Sequence, residues 1–151
     1  MNALATTGAG FLLAVLWFDL MFDVQTRQSG EAALPTDVIA SIATYYRRVT
    51  TEATPMNRFV SLAMLATLSA LVAEIVEGTY PAWLCWSSLA LALSAIGLAS
   101  ARTFRNARVL GAGAGSPEHR SALARAIYRD HRYCLAAISL VVALQLAAPR
   151  L

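Results

Sequence analysis

The chain has 151 residues, of which 58% are hydrophobic and 14% are charged, and its formal net charge is +3. A soluble domain has about 45–50% apolar and about 25% charged residues, so this composition excludes an ordinary soluble domain and a disordered chain. The length also argues against several domains. The basic residues are all arginines in an alanine-rich sequence, which is typical of a GC-rich genome.

Four apolar segments are long enough to be membrane helices. Together with their polar ends they give predicted spans at about residues 3–25, 55–77, 82–110 and 117–148. About 20 residues cross about 30 Å of hydrocarbon, and the apolar part of the last segment is short, so we expect its arginines to reach outward to water. The first segment lacks the basic start of a signal peptide. We predict an all-α fold, an integral membrane four-helix bundle in a single domain 1–151.

The arginines are distributed unevenly between the two sides of these four spans. One side would hold only Arg150, and the other side would hold the remaining eleven: Arg27, Arg47, Arg48, Arg58, Arg102, Arg105, Arg108, Arg120, Arg125, Arg129 and Arg132. Cytoplasmic loops of membrane proteins carry such an excess. We therefore predict a multi-pass protein of the bacterial inner membrane, with both termini outside and loops 27–57 and 102–131 cytoplasmic.

The first cytoplasmic connection contains the pattern of an amphipathic helix from about Thr36 to Val49. Apolar residues recur there every three to four positions, and Pro35 with Thr36 suits a helix start. Such a helix either lies on the membrane surface or covers the inner mouth of the bundle.

The second connection predicts a helical hairpin. The third helix should continue to Gly111, followed by a glycine-rich turn over residues 111–116 and by the helix-start pattern Ser116-Pro117-Glu118. Helices three and four would then extend together into the cytoplasm as an αα-hairpin.

Ionisable side chains next to the apolar segments are the best functional signal in the sequence, because such groups are costly inside lipid. Asp19 and Asp23 share one helix face at spacing i,i+4. On the predicted topology, groups on other helices reach the same depth. The candidate ligand-binding residues are Asp19, Asp23, Tyr46, Arg102, Arg105 and Arg129, and the candidate catalytic residues are Asp19, Asp23 and His131.

The same residues allow a plainer interpretation, in which Asp19 and Asp23 form structural ion pairs with nearby arginines. A metal alternative would use Asp19, Asp23 and His131 as two carboxylates and one imidazole. We expect no haem, because a second axial histidine is missing from the apolar interior. We also expect no disulfide redox pair, because Cys85 and Cys134 should lie near opposite membrane faces.

The sequence also predicts how far two further side chains, Glu74 and Trp17, are buried. Glu74 is one turn inside the end of the second span. Its carboxylate either accepts a proton or a cation there or, as we expect, reaches the surface. Trp17 lies deeper than Trp83 and Trp86, which have the positions of interfacial aromatics, and we expect Trp17 to pack in the core.

The leading functional hypothesis is a small membrane protein with a polar site at its cytoplasmic mouth. That site would bind a polar or anionic ligand, including a lipid, or a partner subunit. The second hypothesis is a membrane enzyme acting on a lipophilic substrate. The third is an accessory subunit of a larger membrane complex, which docks through the 102–130 hairpin. The alternatives for partners, besides the lipid bilayer and a ligand, are a partner subunit and a second copy of the chain in a homo-oligomer. The basic residues flank membrane ends, so we expect no nucleic acid as a partner.

Overall fold

A computed structural model of the chain describes residues 1–27 and 33–148. This part of the chain is helical nearly throughout and contains no strand. Its α-helices are α1 (Asn2–Asp23), α2 (Thr36–Arg47), α3 (Thr54–Glu77), α4 (Ala82–Leu98), α5 (Phe104–Gly111) and α6 (Pro117–Ala147). The all-α class is therefore confirmed.

Short turns of other helical types join several of these helices. A 3-10 turn over Val24–Arg27 follows α1, and π turns over Arg48–Glu52 and Ala99–Thr103 follow α2 and α4. Because a π turn keeps the chain helical, α4 and α5 form one long helix that ends at Gly111, as the sequence predicts. The predicted cap of α6 is also confirmed, since the Ser116 hydroxyl accepts a hydrogen bond from a backbone N–H one turn later.

Within the described residues (1–27 and 33–148), three helical segments are long and apolar enough to cross a membrane: Asn2–Arg27, Asn57–Glu77 and Ala82–Gly111. Helix α6 is not among them. Charged residues occupy its N-terminal half, and the sequence is free of charged side chains only from Tyr133 to Pro149.

The four long helices bury small residues against one another. Helix α1 packs against α3 and α6, and α4 packs against the same two helices. On α4, the small residues Ser88, Ala92 and Ala95 are all buried. Small side chains allow helix backbones to approach closely, which is how helices associate where no hydrophobic effect drives them together.

A second apolar core joins α2 to α5 and α6. The α2 residues Val38, Ile39 and Ile42 pack there with Leu110 and Ile127. The apolar face of α2 is thus covered by protein and is not free to lie on a membrane surface. Of the two predicted placements of α2, the structure therefore favours the one in which α2 covers the other helices, here α5 and α6, over the one in which it lies on a membrane surface.

One glycine shows how closely the hairpin approaches α2. A Cβ atom added to Gly111 would lie 2.7 Å from the backbone nitrogen of Arg47. This distance is shorter than carbon and nitrogen tolerate without a shift of the backbone, so only glycine fits there without strain.

The structure corrects two expectations about burial. Trp17 is 63% exposed, because it lies on the face of α1 that contacts neither α3 nor α6. Glu74 is 0% exposed and does not reach the surface. Hydropathy identified both helices correctly, but the packed face of each helix depends on its neighbours.

Candidate functional site

Helix α1 places two carboxylates on one face near its C-terminal end. Asp23 is fully buried, and the side chain of Asp19 is 15% exposed. Residues four apart on an α-helix lie one above the other, so a single neighbouring helix can contact both.

Helix α2 supplies one tyrosine hydroxyl to each carboxylate. The Tyr45 hydroxyl donates to Asp19 Oδ1 at 2.7 Å, and the Tyr46 hydroxyl donates to Asp23 Oδ1 at 2.6 Å. Burial and the neighbouring carboxylates raise the pKa of both tyrosines above the ordinary value. Both hydroxyls therefore keep their protons and act as donors.

Helix α6 completes the arrangement with a histidine. His131 Nδ1 lies 2.7 Å from Asp23 Oδ2, and His131 Nε2 lies 3.8 Å from Asp19 Oδ2. The first distance is a hydrogen bond, and the second is longer than a hydrogen bond. We call these five residues (Asp19, Asp23, Tyr45, Tyr46 and His131) the Asp–His cluster.

The Asp–His cluster has the geometry of an oriented acid–base pair. A carboxylate bonded to one imidazole nitrogen fixes the ring and favours its charged form, and the second nitrogen is then available to exchange a proton. In this cluster Asp23 is the orienting carboxylate and Nε2 is the available nitrogen. The side chain of His131 is 8% exposed.

The predicted arginines lie elsewhere. Arg102 donates from Nε to Asp130 Oδ2 at 2.9 Å and also pairs with Oδ1 of the same carboxylate. Thr103 binds Asp130 as well, so the π turn at the end of α4 directs two consecutive side chains to this buried carboxylate. Arg102 thus pairs with Asp130 instead of with Asp19 or Asp23. Arg105 and Arg129 are exposed.

This distribution of charge makes the cluster acidic. Among the described residues, the hydrogen bonds and ion pairs of Asp19 and Asp23 go to tyrosine and histidine and not to arginine. The predicted composite of aspartates with arginines is therefore not formed. Two carboxylates and one histidine do not favour a bound anion.

A cavity of about 50 Å³ lies beside the cluster, and it is partly open. Asp19 and His131 are its charged or potentially charged side chains, Cys134 adds a thiol, and the rest of its wall is apolar. The lining residues are Leu12, Val15, Leu16, Asp19, Val60, Met64, Ala95, Ile96, Ala99, Phe104, His131, Cys134 and Ile138. The cavity exceeds the roughly 10–15 Å³ that one water molecule needs. We call it the apolar cavity.

The residues of the metal alternative do not form a metal centre. Within residues 1–27 and 33–148, no group of three or more His, Cys, Asp or Glu side chains is placed to hold a metal ion. The hydrogen bond between His131 and Asp23 is direct, which leaves no space for an ion between them. Cys85 and Cys134 have free thiols and belong to separate core clusters.

Sequence patterns missed several contributors to this site. Phe22 stacks on the Tyr45 ring at a centroid distance of 4.0 Å and so fixes the tyrosine beside Asp19. The sequence places Asp130 at the same depth as His131 but does not predict its pairing with Arg102, because the two neighbours lie on different faces of α6. The apolar cavity has no signal in the sequence, because its wall combines side chains from α1, α3, α4, α5 and α6.

The chain matches no family model. Comparisons with curated proteins and with solved structures likewise give no significant match. The functional proposal is therefore based on the geometry of the Asp–His cluster and of the apolar cavity.

Proposed function

We propose that this chain is a small integral membrane protein which binds a lipophilic molecule in the apolar cavity and contacts its polar group through the Asp–His cluster. The protein would be a four-helix bundle of the bacterial inner membrane, with both termini outside and loops 27–57 and 102–131 in the cytoplasm. The eleven-to-one distribution of arginines and the three apolar helices support this placement.

The main observation behind the proposal is that the wall of the apolar cavity combines many aliphatic side chains with a few polar ones. Its sides are aliphatic residues such as Leu12, Val60 and Ile138, and its hydrogen-bonding polar groups are Asp19 and His131. Ligand sites are mostly apolar and contain a few polar groups that fix orientation. An amphiphile with a hydrogen-bonding head and a hydrocarbon part matches such a wall better than an anion does. Because the cavity is only about 50 Å³ and is partly open, such a molecule would place its head and the adjoining carbons inside and extend beyond the opening.

A direct test is to fill the apolar cavity without changing the cluster. Ala99 lines the cavity, and the next residue, Ser100, is exposed and does not line it. We expect native mass spectrometry of wild-type protein in mild detergent to show a retained lipophilic molecule. Ala99→Leu should lose this molecule, and the matched Ser100→Leu variant should keep it. Equal occupancy in both variants, or an empty wild-type protein, would contradict the proposal.

A second candidate function is catalysis on the bound molecule, and the geometry of His131 favours it. Asp23 holds Nδ1 at 2.7 Å, which leaves Nε2 as a general acid or base. An Asp–His pair of this kind moves a proton during a reaction.

Binding and catalysis are distinguished by replacing His131. Under catalysis, His131→Gln should retain a bound molecule whose mass differs from that in the wild-type protein, because the substrate is no longer converted. Under binding alone, the retained mass should be the same in both proteins. The measurement is native mass spectrometry followed by extraction and identification of the released molecule.

A further inference from the structure

Polar side chains from four helices occupy the end of the structure that lies away from the Asp–His cluster. Asn2 on α1, Glu74 on α3, Ser88 on α4 and Gln145 on α6 form this group, which we call the Glu74 layer. Asn2 and Asp19 are seventeen positions apart on α1, and at 1.5 Å per residue this places the layer about 25 Å from the cluster.

Three members of the layer are hydrogen-bonded to one another. The Asn2 side-chain amide donates to Gln145 Oε1 at 2.9 Å and to the Gln145 backbone carbonyl at 2.8 Å. Gln145 Nε2 then donates to the Ser88 hydroxyl at 3.3 Å. Gln145 and Ser88 are fully buried.

Glu74 lies beside Gln145 but is not part of this network. Its side chain is 0% exposed, and within the described part of the chain neither carboxyl oxygen makes a hydrogen bond of normal geometry. The Gln145 side chain adjoins the carboxyl group as a donor. An ionised carboxylate without partners is among the most costly groups to bury, whereas the neutral acid costs far less.

The surroundings of Glu74 offer little charge compensation. The titratable groups that act on it are the Met1 amino group at the start of α1, Glu77 on its own helix and Cys85 on α4. From α6, the neighbouring side chain is the uncharged Gln145. Of these, the Met1 amino group alone is positive.

We propose that Glu74 is a proton-binding site, which holds a proton while the Glu74 layer is packed and releases it when this layer opens to water. A metal cation is a poorer occupant, because it needs several oxygen ligands at once. In the layer, Gln145 Oε1 and the Ser88 hydroxyl already accept hydrogen bonds, which leaves the two Glu74 oxygens and Asn2 Oδ1, fewer than a metal cation requires.

The test uses dicyclohexylcarbodiimide, an apolar reagent that modifies protonated carboxyl groups in apolar surroundings. After treatment of the full chain in detergent, peptide mass spectrometry should locate the adduct on Glu74 and not on Glu77. Glu77 is the matched control, because it lies three residues away on the same helix and is exposed. Glu74→Gln should lose the adduct, and Glu77→Gln should retain it.

Several outcomes would overturn the proposal. Equal modification of both glutamates would mean that Glu74 is solvated. Modification that appears only after Arg150→Gln would mean that an ion pair keeps Glu74 charged. Protection by Na⁺ at fixed ionic strength would assign the site to a metal cation.

A second measurement does not depend on the reagent. If the folded chain holds a proton on Glu74 that the unfolded chain releases, thermal stability falls as pH rises. The part of this fall that comes from Glu74 should be absent in Glu74→Gln and present in Glu77→Gln. The pH dependence that comes from the Met1 amino group and the Cys85 thiol should remain in both variants. Identical pH profiles for the wild-type protein and Glu74→Gln would refute the proposal.

Discussion

The Asp–His cluster and the Glu74 layer bury carboxyl groups in opposite ways. Asp23 is enclosed by a tyrosine hydroxyl and an imidazole nitrogen at 2.6 and 2.7 Å. Glu74 is equally buried but makes no hydrogen bond of normal geometry among the described residues. Burial alone therefore does not determine what a carboxyl group does. Hydrogen-bond partners determine whether the cost of burying the ionised form is compensated or whether only the neutral acid can be buried at low cost.

The largest expected effect is on the paired carboxylate. Asp23→Asn removes the charge that Tyr46 and His131 contact, and we expect it to lower the free energy of unfolding by about 3–5 kcal/mol, because it leaves buried polar groups mismatched. The measurement is denaturant unfolding in detergent. The matched Asp37→Asn variant changes an exposed aspartate on α2 and should stay within about 0.5 kcal/mol of the wild-type value. Equal losses in both variants would show that the contacts of Asp23 contribute little to stability.

An intermediate effect should come from the two tyrosines. Tyr46→Phe removes a hydrogen bond to a fully buried carboxylate, and we expect a loss of about 1.5–3 kcal/mol in unfolding free energy. Tyr45→Phe should cost less, because Asp19 is partly exposed and water can replace the lost donor. If Tyr45→Phe proves the more damaging change, the assignment of Asp23 as the central carboxylate is wrong.

The smallest expected effect is on the unpaired carboxyl group. Glu74→Gln keeps the volume of the side chain and resembles the protonated acid, so we expect its unfolding free energy at neutral pH to stay within about 1 kcal/mol of the wild-type value. A loss as large as that of Asp23→Asn would remove the contrast between the two regions and would indicate a charged, paired Glu74.

The helices themselves were largely predictable, because long apolar runs and capping residues act locally. The hairpin turn after Gly111 and the cap at Ser116 follow from backbone chemistry within a few residues. The pairing of Asp19 and Asp23 on one face follows from the helical repeat. His131 was also among the candidates, because few ionisable groups adjoin the apolar segments.

The choice of partners was not predictable, because it depends on how each helix is rotated about its axis. Arg102 had three carboxylates within plausible reach, and the π turn before α5 selects Asp130. The burial of Glu74 depends on which face of α3 meets its neighbours. The polar Gln145 inside an apolar run was a signal for the Glu74 layer, since isolated polar residues in such segments require partners.

Both hydroxyl donors of the Asp–His cluster come from consecutive residues of one helix. Tyr45 and Tyr46 reach carboxylates one turn apart on α1, and the remaining packing of α2 is against the hairpin. A rigid shift of α2 by about 1 Å stretches both hydrogen bonds beyond their normal range together. The two hydrogen bonds therefore depend on the position of a single helix. Because Gly111 packs directly against the backbone of α2, a displacement of the hairpin at this residue would change the contacts of both aspartates together.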